Sequence, residues 1–336
     1  DEQGRKMSKS LKNVTAPQEV VDKYGADILR LWVVGSDYSE DLRIGPEILK
    51  SQADLYRRLR NTLRYLLGAL ADFSEEERID VAEMPELERW VLHRLTELDG
   101  VVRKGIDDYD FHALFTALHN FCAVDLSAFY FDVRKDSLYC DRPDSVTRRS
   151  VRTVLDHLFS CLTAWLAPVL CFTTEEAWLS RYGTDGPVPS VHLRTFVDIP
   201  QGWASPELAA KWDVVRDVRR VVTGALELER SAKRIGSSLQ ASPVVTVTPE
   251  VHAILAGVDL AEVSITSDIR VMEGPVPEGA FTLEDVPGVG VISALAEGEK
   301  CERCWRVLVE VGKDPEHPTV CVRCADAVDH IAEAAE

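Results

Sequence analysis

The 336-residue sequence predicts a mainly α fold, in which an antiparallel helix bundle is followed by a small α+β unit and a C-terminal four-cysteine module. Three observations carry this. Apolar residues from Pro46 onward recur at spacings of three and four. Short β-rich runs follow a long helix that starts at Pro206. Two Cys-x2-Cys pairs, separated by sixteen residues, close the chain.

The elements follow in order. In residues 1–45, Thr15 is placed to cap a helix with Pro17 in its first turn, Gly25 to end that helix, and Asp27 to cap the next. Residues 46–182 form the bundle. Its first helix carries Ile48, Leu49, Leu55, Leu59, Leu63, Leu66, Leu67 and Leu70. Further helices are expected over 86–106, 111–133 and 147–166, with polar connections at 74–85 and 136–145. Thr173-Thr174-Glu175-Glu176 reads as the cap of a short helix ending near Leu179. Residues 183–205, rich in Gly, Pro and Ser, read as a connection. Residues 206–297 should hold a helix to about 234 and strands at 244–247, 263–266, 269–272 and 290–294. The metal module spans 298–330, and 331–336 should fray.

The composition, 46% hydrophobic and 28% charged, is that of a globular protein with two or three domains. A formal net charge of -18 argues against a general nucleic-acid binder and leaves room for a local basic surface. Arg57, Arg58, Arg60 and Arg64 form such a group, just before an acidic run from Glu75 to Glu88. These arginines fit RNA phosphates and a solvated helix face equally well. The longest apolar stretch read from the sequence, 162–172, is broken by Pro168 and too short to span a bilayer. No segment resembles a secretory signal, so a cytoplasmic monomer without a membrane partner is expected.

Near the start stands Lys6-Met7-Ser8-Lys9-Ser10, with Gly4 before it as a hinge. Two ammonium groups on a flexible loop can neutralise charge on a departing pyrophosphate, and Ser8 and Ser10 can bond phosphate oxygens. Taken alone, the string also fits an exposed basic loop. Together with Tyr24-Gly25-Ala26-Asp27 and Arg30-Leu31-Trp32, it resembles the signature segment of class I aminoacyl-tRNA synthetases, in the subgroup for isoleucine, leucine, valine or methionine. The resemblance implies that residues 1–45 are the remnant of a nucleotide-binding catalytic domain. It implies that the loop from Lys6 to Ser10 binds ATP, and that Lys6 and Lys9 are catalytic. No second ATP motif is present in the sequence, so the chain is expected to be a C-terminal portion that does not catalyse alone.

Cys301, Cys304, Cys321 and Cys324 have the spacing of a structural zinc site, two knuckles completing one tetrahedron. Two disulfides or a redox pair are the competing readings, disfavoured by the expected compartment and by the lack of a βαβ setting. The other cysteines, 122, 140, 161 and 171, read as buried small hydrophobes. Lys300-Cys301-Glu302-Arg303-Cys304-Trp305, with His317-Pro318 and Cys321-Val322-Arg323-Cys324, resembles the zinc module of the bacterial isoleucyl-tRNA synthetase family. This implies isoleucine, ATP with Mg2+, and tRNA(Ile) as partners, with the bundle reading the anticodon stem and loop. Trp305 and Arg323 are candidate tRNA contacts; for Trp305, covering the metal cluster as a small core is the preferred alternative. A valyl or leucyl enzyme, or a non-catalytic RNA-binding zinc module, is the alternative function.

Overall fold

The computed structural model describes residues 1–333, and the chain divides into two compact units. The first comprises 1–132 and 150–204, the second 133–149 and the residues from 205 onward.

In the first unit, α1 (Pro17–Tyr24) has Pro17 at its start, as expected. Thr15 does not cap it: the capping position is Ala16, with no side-chain bond. Gly25, at φ +92°, ends α1 and leads directly into α2 (Ala26–Gly35), a backbone turn that favours glycine. Asp27 therefore lies inside α2 and caps a different helix. Its buried carboxylate accepts bonds from the Thr173 amide at 2.8 Å, the Thr173 hydroxyl at 2.6 Å and the Phe172 amide at 3.3 Å. These amides open α8 (Cys171–Tyr182), so the Thr173-Thr174 string is not its own cap. One turn along α2, Arg30 donates to the carbonyls of Pro168 at 2.7 Å and Val169 at 3.0 Å.

The bundle of the first unit is built from α3 (Pro46–Ala69), α4 (Glu86–Asp107), α5 (Phe111–Asn120) and the greater part of α7 (Val146–Leu166), whereas α6 (Phe131–Cys140) falls mostly in the second unit. Leu59, Leu63, Leu66, Trp90, Leu118, Leu126, Phe159 and Trp165 fill its core. A ten-residue π-helical stretch, Phe121–Tyr130, joins α5 to α6 without a break. The combined helix Phe111–Cys140 is long and apolar enough, by length and composition, to cross a membrane; 56% of its most apolar window is buried within the protein. Residues 136–140 were expected in a connection because Arg134, Lys135 and Asp136 are polar. They remain helical because Val133, Leu138 and Cys140 are buried, and because Arg134 bonds Glu262 at 2.6 Å.

In the second unit a four-stranded sheet has the order β2-β1-β4-β3. Its strands are β1 (Val244–Val247), β2 (Arg270–Glu273), β3 (Phe281–Leu283) and β4 (Val286–Ile292). β1 pairs parallel with β2 and antiparallel with β4. Helix α9 (Pro206–Ser231) packs on β3 and β4. Two short helices, α10 (Pro249–Ile254) and α11 (Leu260–Ser264), lie between β1 and β2. The strand expected at 263–266 is not formed. Asp259 caps α11 through the Glu262 amide, and its Val263 and Ser264 are buried as helix residues. β3 was missed because it is only three residues long, Phe281-Thr282-Leu283. Strands β5 (Glu299–Lys300) and β6 (Val307–Leu308) flank the first cysteine pair. Helix α12 (Val322–Glu333) takes up 331–333 of the expected tail, and 334–336 lie outside the described residues.

Gly224 on α9 marks the closest approach of helix and sheet, since a Cβ there would lie 2.7 Å from the Phe281 ring. Gly224→Ala should therefore destabilise the second unit by about 1–3 kcal/mol despite the better helix propensity of alanine. Adding Phe281→Leu should recover part of the loss. Urea unfolding of the three variants measures this; a more stable Gly224→Ala would show that the contact is not limiting.

Candidate functional site

The four cysteines of the tail meet at one point. Cys301 and Cys304 lie on a turn after β5, Cys321 immediately before α12, and Cys324 in its first turn. All four are buried, and their sulfurs lie within 4.8 Å of one another. The Cys304 and Cys321 sulfurs are 3.8 Å apart. A tetrahedron with Zn–S bonds of about 2.3 Å has edges of about 3.8 Å, so the donors fit one zinc ion. All eight cysteines are free, which removes the disulfide reading. Hydrogen bonding with Cys321 pushes the Cys304 thiol up to about 11, and contacts with Cys140 and Cys304 push Cys324 up. A divalent cation is what lets such crowded thiols ionise together, and four thiolates leave no open position for water. His317 lies outside the cluster, with its ring 2.6 Å from Asp329, a pairing that raises its pKa.

Sequence reasoning missed two members of this centre. Cys140, at the end of α6, packs against the four cysteines. Arg303, between the first two cysteines, donates to the carbonyl of Cys140, to that of Tyr139 at 3.1 Å, and to the Cys324 sulfur at 3.7 Å. Cys140 lies 161 residues from the nearest cysteine of the module, so only the folded chain brings them together.

Arg323 is half-buried, and its guanidinium is paired with Asp136 at 2.6 and 3.0 Å and with Asp141 at 3.0 Å. Trp305 is 61% exposed, which overturns the reading of it as a cover for the metal. Its backbone φ is +67°, and the Lys300 ammonium lies 5.3 Å from the ring centroid.

The lysine loop belongs to the first unit. Asn13 organises it: its Oδ1 accepts from the Ser8 amide at 2.9 Å, and its Nδ2 donates to the Lys6 carbonyl at 3.3 Å and the Asp1 carboxylate at 2.8 Å. The Ser8 and Ser10 hydroxyls are 3.1 Å apart. Gly4, at φ +76°, makes the turn before the string. Lys6, Met7, Lys9 and Ser10 are exposed, and neither lysine forms an ion pair among the described residues. Arg57, Arg58, Arg60 and Arg64 all lie on the exposed side of α3. Arg57 pairs with Asp54 at 2.8 Å and Arg60 with Glu176 at 3.5 Å, whereas Arg58 and Arg64 form no ion pair among the described residues.

Comparison with known proteins matches both regions. The family described as "tRNA synthetases class I (I, L, M and V)" matches residues 1–45, "Anticodon-binding domain of tRNA ligase" matches 88–245, and "Zinc finger found in FPG and IleRS" matches 298–327. Isoleucine–tRNA ligase of Ruegeria pomeroyi is 56% identical over 330 residues, 98% of this chain and 34% of the relative. Those of Agrobacterium fabrum and Mesorhizobium japonicum are each 54% identical over 99% of this chain and 34% of their own length. The chain thus spans about a third of the length of the curated relatives it matches. A solved LeuRS–tRNA–LeuAMS complex from Agrobacterium radiobacter K84 aligns with 61% of this chain and 23% of that chain at 21% identity, TM-score 0.48.

Metal analysis of the purified chain should find about one zinc per molecule. Cys304→Ser should reduce this to a small fraction, because removing one thiolate opens the tetrahedron. Stoichiometric zinc in Cys304→Ser would contradict the four-cysteine ligand set.

Proposed function

This chain belongs to the class I aminoacyl-tRNA synthetases, as a segment of the isoleucine–tRNA ligase type, and from that premise we propose that it is the tRNA-binding C-terminal part of an enzyme that joins isoleucine to tRNA(Ile). The observation that carries this is identity of 54–56% across nearly the whole chain, lysine loop and zinc module included.

In the first step, an oxygen of the isoleucine carboxylate attacks the α-phosphorus of ATP. The bond to the bridging oxygen breaks and pyrophosphate leaves. Lys6 and Lys9, exposed and in no ion pair among the described residues, would neutralise the charge that grows on the departing phosphates. The Met7 and Ser8 backbone and the Ser8 and Ser10 hydroxyls would hold the phosphate chain. Mg2+, when bound, would supply further positive charge at the phosphates. In the second step a ribose hydroxyl at the tRNA 3′ end attacks the adenylate carbonyl and AMP departs. The chain alone should not carry out either step.

On the tRNA side, Arg58 and Arg64 offer uncommitted charge to phosphates, Arg57 and Arg60 only after loosening their exposed ion pairs. Trp305 offers an exposed ring to a base, a contact worth about 1–3 kcal/mol. The zinc is structural and holds that surface in shape. A monomeric, cytoplasmic enzyme is part of this reading.

In the full-length enzyme, Lys9→Ala should slow isoleucine-dependent ATP–pyrophosphate exchange by about two orders of magnitude while changing isoleucine affinity little. A near-normal exchange rate would remove Lys9 from the chemistry. For the tRNA surface, the expected observation is a steep fall of tRNA affinity with salt. Replacing Arg57, Arg58 and Arg64 together by alanine should lower that slope by about 2–3, one counterion per lost phosphate contact. An unchanged slope would return these residues to the role of a solvated face.

A further inference from the structure

Arg303 stands at a junction between the metal centre and a helix end. Its guanidinium touches a cysteine sulfur on one side, Cys324 at 3.7 Å, and the carbonyls of Tyr139 and Cys140 on the other. Those carbonyls belong to the last turn of α6, where backbone acceptors have no partner within the helix. A cation near a helix C-terminus is also favoured by the helix dipole. Because Arg303 lies inside the first knuckle, between Cys301 and Cys304, its backbone is held by the same ligands that hold the metal.

We propose that Arg303 is a positioning residue that transmits metal occupancy of the four-cysteine centre to the 133–149 segment, so that the end of α6 is fully ordered only when zinc is bound. This rests on the zinc reading above. Four thiolates around a divalent cation carry a net charge of -2. Donors to the sulfurs offset this charge, and the groups around a metal's ligands tune its binding. The Cys321 amide donates to the Cys301 sulfur at 3.3 Å, and Arg303 adds a charged donor to Cys324. With zinc bound, the knuckle, the sulfur and the guanidinium fix one another, and the two carbonyls of α6 are satisfied. Without it, the turn keeps only its backbone bonds, from the Cys301 amide to the Arg306 carbonyl at 2.8 Å and from the Trp305 amide to the Cys301 carbonyl at 2.9 Å, and the Cys140 sulfur contact to the Arg303 carbonyl at 3.8 Å; the guanidinium loses its fixed sulfur, and the last carbonyls of α6 lose a fixed donor.

The other links to this segment are of a different kind. Arg323 binds Asp136 and Asp141, Arg142 reaches Asp326 at 3.3 Å, and Arg148 donates to the Leu138 carbonyl at 3.3 Å. The Arg323 and Arg142 pairs hold α12 to the segment through charge, Arg148 acts within the segment itself, and the Cys140 sulfur adds a contact to the Arg303 carbonyl at 3.8 Å. Arg306, the next arginine, is engaged with the Ser267 carbonyl at 2.7 Å.

Two measurements on the full chain test this. The first is reconstitution with Co2+, read by the thiolate-to-cobalt charge-transfer absorption. Arg303→Gln should move this band to lower energy, because a thiolate that loses a cationic donor gives up its electron more readily. Arg303→Lys should restore much of the shift, which a purely structural residue would not do. The second is amide hydrogen exchange over 136–142. In the wild type with zinc bound, chelation should speed exchange there by about tenfold. In Arg303→Gln, still holding about one zinc, exchange should already be fast and should not change on chelation. If that variant loses its metal, Arg303→Lys takes its place, with a smaller response than wild type expected. Slow exchange in zinc-loaded Arg303→Gln, or an undiminished response to chelation, would overturn the proposal. A wild-type chain without stoichiometric zinc would overturn the zinc reading itself, a distinct result.

Discussion

Helix ends make a demand that helices cannot meet themselves: the first amides and last carbonyls have no partner inside the helix. At the start of α8, just past the end of α7 and at the end of α6, charged side chains from remote sequence meet it, whereas Asp110, Thr248 and Asp259 cap α5, α10 and α11 locally. Asp27 supplies the carboxylate that opens α8, and Arg30, one turn further along α2, supplies the donor for the carbonyls just beyond α7. The pair thereby clasps the turn between α7 and α8, about 140 residues away. Arg303 does the same for the end of α6. The segment that carries the lysine loop is fastened to the bundle by the first clasp, within one compact unit.

The charged residues sort by whether they are consumed in such contacts. Asp156 accepts from both Arg78 and Arg181, and Arg152 pairs with Glu77. Isolated charges are costly to bury, so these pairs fix geometry more than they add stability. Among the cations that form no ion pair among the described residues are Lys6 and Lys9 on the loop and Arg58 and Arg64 on α3, and the Trp305 ring is exposed. Those are the groups for which chemistry and RNA contact are proposed. A strongly acidic chain can therefore still present a basic working surface, because many of its carboxylates are engaged internally.

Much of this was legible in the sequence. Leucine spacing gave the bundle helices nearly residue by residue, and cysteine spacing gave the metal centre, because both signals are local and periodic. The errors have a common physical origin. Asp27 looks like a cap for the helix beside it and caps one brought near only by folding. Val263 to Thr266 looks like a strand by side-chain shape, yet Asp259 starts a helix there and burial completes it. Residues 136–140 look like a loop by polarity, but Asp136 is paired with Arg323 and Arg134, just before them, with Glu262. Arg323 is paired with two aspartates that lie 182 and 187 residues earlier in the sequence. Local rules see a residue's neighbours in sequence and cannot see the partner that satisfies it.

The claim that remote charged side chains, rather than local caps, hold these helix ends is tested most directly at Asp27. Residue-resolved amide exchange of Asp27→Ala should show the Thr173 amide exchanging about ten or more times faster than in the wild type, corresponding to the loss of roughly 1.4 kcal/mol or more. Amides near Trp178, in the middle of the same helix, should change far less. An unchanged rate at Thr173 would contradict the account, because it would mean that α8 begins without help from α2.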